Sequence, residues 1–233
     1  MTSTVLKGLS LAVGALATAV VPVVLAAPRP DPGRPDHTRP DGSVEELRDL
    51  DDVVAACRAS EATGWQLVDE ATALVHAMYT HYSCWHLWLR PAASLAAGHG
   101  HSVQYNLALG EVLTRLGFDV EAVHASRVRL EHHPWYHVGH SWLRVAHEGR
   151  RLDVCASRVT NTAGRVSFVP VTDVRPLTTL TRLDTAVALA PFVVASVWRS
   201  WLTGRPIQPW VHRPFGVPVG ADGPAPFTDG EPF

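Results

Sequence analysis

An α+β fold is predicted from three features of this sequence. Helical periodicity dominates the first half of the chain, strand alternation dominates the second, and a short turn joins two alternating segments into a hairpin. The 233 residues are 46% hydrophobic and 18% charged, enough for one substantial core with appendages. A net charge of −2 gives no electrostatic case for a nucleic-acid partner.

Taken in order, residues 1–27 read as a signal peptide or an N-terminal membrane anchor. Lys7, the only lysine, precedes an uncharged apolar run whose length suits a bilayer span, ending in Val24-Leu25-Ala26-Ala27 like a small-residue cleavage site. Residues 8–27 would then be the membrane tether. Residues 28–42, rich in Pro, Asp and Arg, read as an extended linker. A domain is expected over 43–180. Ser43 and Glu46 fit a capping box for a helix through about Ala59. Trp65, Leu67, Val68, Ala71, Leu74, Val75 and Met78 are spaced for a second helix, and Pro91 breaks the structure that follows.

A third helix is expected over Val103–Leu116, with Leu107, Leu109, Val112, Leu113 and Leu116 in the core and Gly117 as its stop. Residues 119–130 read as a strand with Val123, Ala125 and Val128 inward, and 131–139 as a polar aromatic loop containing Trp135 and Tyr136. Residues 140–157 alternate about a Glu148-Gly149 turn, a hairpin, and 166–171 read as a short strand. Residues 181–203 read as an apolar helix, packed rather than membrane-spanning, and 204–233 as a Pro/Gly-rich extended tail. Cys57, Cys84 and Cys155 form no CxxC pair, and a Cys57–Cys84 disulfide is open to an exported protein.

Three residues carry the chemistry. Ser102 stands at a helix N-terminus, where free N–H groups and the helix dipole favour an anion. Ser is also a favoured N-cap, so the two roles coexist. His140 opens a strand and suits a general base, and Asp153 on the next strand suits a carboxylate that orients it. A two-residue turn pairs Arg144 with Asp153 and leaves His140 four residues further along. At about 3.3 Å per residue, a bulge or strong twist must bring His140 to the carboxylate.

The segment Gly98-His99-Gly100-His101-Ser102-Val103-Gln104-Tyr105-Asn106 and its continuation through Leu116-Gly117-Phe118 resemble the nucleophile segment of arylamine N-acetyltransferases and transglutaminase-like proteins. Residues 140–157 resemble the same families' His-strand, turn and Asp-strand. The likeness spans about residues 65–158. It implies a papain/transglutaminase-like core with the nucleophile at the start of a central helix packed on an antiparallel sheet. It also carries the family Cys onto Ser102, the His onto His140 and the Asp onto Asp153. The chain departs from the pattern in having Ser at the nucleophile, no arginine at Ala96-Ala97, and Cys155 two residues past Asp153. A helix terminus supplies ~0.3–2 kcal/mol, enough to help a thiol ionise and far too little for an alcohol.

The resemblance implies acyl transfer or amide/ester hydrolysis through Ser102, His140 and Asp153 on a small acyl or peptide substrate. The N-terminal apolar run makes a secreted or membrane-anchored protein the expectation, and with it no cofactor is expected. A second reading is a catalytically inactive relative that binds a peptide or acyl ligand. A third, a histidine-based metal binder using His99, His101, His124, His132, His133, His137 or His140, lacks a tight ligand motif. Cys155 shares the strand face of Asp153 and reads as a core cysteine or a relocated thiol.

Overall fold

The computed structural model describes residues 2–39, 42–131 and 133–217. The chain runs α1 (Thr2–Leu25), β1 (Asp36–Thr38), β2 (Val44–Glu46), α2 (Leu50–Ala59), α3 (Gly64–Met78), β3 (His81–Ser83), α4 (Pro91–Ala96), β4 (His99–Gly100), α5 (Ser102–Arg115), β5 (Asp119–Leu130), β6 (His133–His147), β7 (Arg150–Val154), β8 (Phe168–Pro170), β9 (Arg175–Pro176), α6 (Thr179–Thr203) and β10 (His212–Pro214). The fold is α+β. Its main sheet is antiparallel, ordered β7-β6-β5-β8 with β9 also on β5. A second sheet is ordered β10-β3-β4, and β1 and β2 form a separate ribbon.

The main core lies where α2, α3 and α5 meet this sheet. Leu109, Val112 and Leu113 of α5 are fully buried against Val123, Val128, Leu143 and Val145. The spacing of these apolar residues is what makes α5 amphipathic and drives its packing. The helix ends in a Schellman motif. Gly117 takes φ +92° and donates to Thr114 O, while Phe118 N donates to Leu113 O, so the last carbonyls find donors. The β6–β7 hairpin turns through Glu148 and Gly149, both in the left-handed region at φ 50° and 73°. Its register pairs His147 with Arg150 and Arg144 with Asp153, as the two-residue turn requires.

Several segments differ from the sequence expectation. The first helix of the domain begins at Leu50, because the Asp49 carboxylate accepts from Asp51 N and Asp52 N and caps it there. Residues 44–46 instead form β2, which pairs with β1 inside the expected linker and is held by Arg34–Glu46 and Arg39–Glu45 ion pairs. Pro91 starts α4, where its missing N–H costs nothing. The expected loop over 131–139 is largely strand. β5 is long enough to pair β6 back to His133, with a register shift between Ala125 and Val128. The side chains of Trp135 and Tyr136 lie outside what is described. In the tail, β10 pairs antiparallel with β3, so residues 212–214 are sheet, while 218–233 lie outside the described residues.

The terminal helices form a second, smaller cluster. Val23, Cys84, Trp85, Val193, Val197 and Val211 are buried together, and Trp198 Nε1 and Trp85 Nε1 donate to Ala19 O and Val23 O of α1. α6 was expected to be packed, yet it buries only Val193, Ser196 and Val197 along its 25 residues. It is long and apolar enough to cross a membrane. The cysteines are free thiols, and Cys57 and Cys84 sit in different clusters, so the suggested disulfide is not formed.

Candidate functional site

The start of α5 is built by close packing around the two glycines that precede it. A Cβ on Gly98 would come within 2.5 Å of Pro32 Cα, and one on Gly100 within 2.2 Å of Ser94 Oγ. Gly98 also takes φ +68°. Ser94 Oγ donates to His99 O at 2.7 Å, fixing β4 beside α4. The N-cap is His101, not Ser102. Its backbone N donates to Gln104 Oε1 (3.0 Å) and its ring Nδ1–H to the same oxygen (2.6 Å). The amide of Gln104 then donates to His86 O and Leu89 O at 2.7 and 2.9 Å. A buried glutamine therefore locks the entry into α5. Ser102 becomes its first residue, and its hydroxyl makes no hydrogen bond among the described residues.

One turn further along α5, Asn106 connects the helix to both strands of the hairpin. Its Nδ2 donates to Ser141 O at 2.7 Å, and its Oδ1 accepts from Ala156 N at 3.0 Å. Residues at i and i+4 share a helix face, so Asn106 sets the chain segments carrying His140 and Cys155 on the face that Ser102 occupies.

His140 does not meet Asp153. Its Nε2 lies 3.4 Å from Cys155 Sγ, and its ring packs edge-on against Phe168 with centroids 4.6 Å apart. Cys155 Sγ donates to Ser157 Oγ at 3.2 Å and receives Asn106 Nδ2 at 3.5 Å. With the single thiol proton directed at Ser157, the sulfur accepts from His140 Nε2–H, and Nδ1 is left as the ring's lone-pair nitrogen. Asp153 Oδ1 accepts instead from Arg144 Nε at 3.1 Å on the partly exposed face of the hairpin. Asp153 is thus placed on Arg144 rather than against His140. The ladder holds it opposite Arg144, no bulge separates the two strands there, and the neighbour of His140 is two residues further on.

Burial pushes the His140 imidazole down to about 4 and pushes the Cys155 thiol up, so the pair is neutral on both sides at neutral pH. His101 is likewise pushed down to about 4 by burial.

Ser102, His140, Ser141 and Ser157 share a cavity of about 870 Å³, within the range of ligand sites. Leu189 and Phe192 of α6 form part of its wall, while Arg158, Arg199 and Arg213 bring positive charge to it. The structure thus brings Ser102 and His140 to one cavity and leaves Asp153 outside it. Cys155 is buried in the core just behind the lining, as a core cysteine was expected to be, and sequence reasoning missed only that it is the neighbour of His140. Its signal was the period-two spacing from Asp153, which puts both on one strand face.

Four of the other histidines meet in ring pairs. The rings of His86 and His99 meet tilted at 4.0 Å, and those of His81 and His212 lie parallel at 4.9 Å. Among the described residues no three His, Cys, Asp or Glu side chains converge so as to hold a metal ion. His132 lies outside the described residues, as do the side chains of His133 and His137. No family model matches the chain, and no curated protein matches it significantly.

Proposed function

We propose that the chain is a catalytically silent relative of the transglutaminase-like and arylamine N-acetyltransferase-like proteins, with a papain-like core whose active-site cleft has become a binding cavity for an acyl or peptide ligand. One observation carries this reading: the imidazole that lines the same cavity as Ser102 is backed by a buried thiol where such a triad needs a carboxylate. A serine nucleophile requires its base to accept a proton as the bond forms, and the carboxylate stabilises the resulting imidazolium. A neutral thiol offers no such charge, and the desolvated surroundings of His140 already disfavour it. The α1 run and the exposed apolar length of α6 support an exported or membrane-anchored protein.

A second reading, slow serine acyl transfer, is favoured by Ser102, whose hydroxyl makes no hydrogen bond among the described residues, and His140 lining the same cavity. A serine-directed fluorophosphonate probe separates the two. The silent reading expects the same labelling of wild type and Ser102→Ala, and labelling that vanishes with Ser102→Ala would overturn it.

A further inference from the structure

The cavity is apolar over most of its wall and holds cations without a carboxylate in its described lining. Among the described lining residues there is no Asp or Glu, yet Arg158, Arg199 and Arg213 are all present. Arg158 is half-buried, its guanidinium makes no hydrogen bond or salt bridge among the described residues, and the carboxylate whose field reaches it is that of Glu131, exposed outside the lining. It follows Ser157, which is joined through Cys155 to His140, and lines the same cavity as Ser102 and His140. Arg213 is stacked over the Tyr82 ring at 3.8 Å, and its donors go to Val217 O and Pro209 O, which orient the guanidinium without neutralising it. Arg199 stands on α6, exposed to solvent. A partly desolvated guanidinium with no carboxylate in direct contact is costly, and an anion bound against it would remove part of that cost. Arginine's planar fork suits a carboxylate or phosphate better than a neutral carbonyl.

The rest of the wall suits a hydrocarbon chain. Leu130, Val138, Phe168, Leu189, Phe192 and Phe215 line it, with Leu189 and Phe192 supplied by α6. That helix also exposes Leu183, Val187 and Leu202 to the outside, so its length is apolar both toward the cavity and away from it. A ligand dissolved in or carried by a lipid surface can reach such a cavity along an apolar wall.

Resting on the reading of the cleft as a binding cavity, we infer that its ligand is a single-chain anionic amphiphile. Its acid head is held at Arg158 near Ser102, with Arg213 contributing field, and its alkyl chain runs along the α6 wall. The recognised chemistry is one acid group on one acyl chain. A free fatty acid and a monoacyl phosphate both present it, and the test distinguishes them.

The full chain is reconstituted in nanodiscs of zwitterionic lipid and exposed to a palmitate bearing a photoactivatable diazirine, with crosslinked peptides mapped by mass spectrometry. Crosslinks are expected on the α6 and Phe168 peptides. Palmitate should compete about tenfold or more better than methyl palmitate, and Arg158→Gln should remove most of that preference. Lysophosphatidic acid competing better than palmitate would identify the head as a phosphate, and the reverse a carboxylate, either supporting the inference. A methyl ester competing as well as the acid, or an acid preference unchanged in Arg158→Gln, would overturn the inference and leave the cleft reading standing. Absence of cavity crosslinks would overturn the inference too. Ser102-dependent hydrolysis of the ester would overturn the silent reading alone. A melting temperature for Arg158→Gln within a few degrees of wild type, together with a Phe192→Ala control that weakens acid and ester alike, separates recognition of the head from loss of fold.

Discussion

The body of the domain and its terminal helix pair are built from similar aliphatic residues put to opposite use. In the body, α5 turns Leu109, Val112 and Leu113 inward, and α3 does the same with Val68, Val75 and Met78, all fully buried. In α6, Leu180, Val187 and Leu202 are 67–79% exposed, and the helix touches the rest through a narrow stripe about Val193 and Val197. An apolar helix without an apolar partner surface is addressed to something outside the chain. The catalytic-looking corner lies at the boundary between these regions. Its polar residues come from the body, and part of its wall comes from α6.

The sharpest break of this comparison is a pair of leucine substitutions. Leu113→Ala should cost about 2–5 kcal/mol in a denaturant melt, because it opens a cavity in a closed core. Leu183→Ser on α6 should stay within about 0.5 kcal/mol. Equal losses would show that α6 belongs to the cooperative body.

Acid is the next test. His86, pushed down to about 3 by burial and by His99, His212 and Arg29, and His101, pushed down to about 4 by burial, are held neutral in the body. Their ordinary value is 6.5, so the unfolded chain takes up protons that the folded chain refuses. This stability is complete above pH 6.5 and is lost as pH falls from 6.5 toward 4. Each of the two steepens the slope by about 1.4 kcal/mol per pH unit. Thermal melts between pH 7.5 and 4.5 should decline across that window, and a flat profile would contradict the buried neutral state.

Smaller effects separate the two carboxamide and carboxylate contacts near the site. Asn106→Ala strands Ala156 N and frees Ser141 O, and should cost about 1–3 kcal/mol. Asp153→Asn removes a partly exposed pair with Arg144 and should cost about 1 kcal/mol or less, with no change in ligand crosslinking. A large effect of Asp153→Asn on the cavity would restore it to the site.

Much of this architecture was legible because it is local. The stop of α5 is written in Gly117, and the β6–β7 register in Glu148-Gly149, since both depend on backbone conformations that few residues adopt. What could not be read depends on distant partners. β6 extends back to His133 because β5 lies alongside it, and β10 exists because β3 offers it an edge. The site was half legible for the same reason. Ser102 follows from a helix start, His140 was expected at a strand start and lies midway along β6, and Asp153 and Cys155 share a strand face. Only the position of β7 against His140 decides which of them is its neighbour.

The central claim is that the site is silent because His140 leans on a thiol. Its most direct test is the pH profile of iodoacetamide reactivity of the new thiol in Ser102→Cys, with and without Cys155→Asp. The native cysteines are buried, so the signal is specific. We expect a normal, high-pH profile in the single variant and a profile shifted well to lower pH in the double variant, both folded by thermal melt. A thiol already ionised at neutral pH in Ser102→Cys alone, with Cys155 in place, would contradict the account.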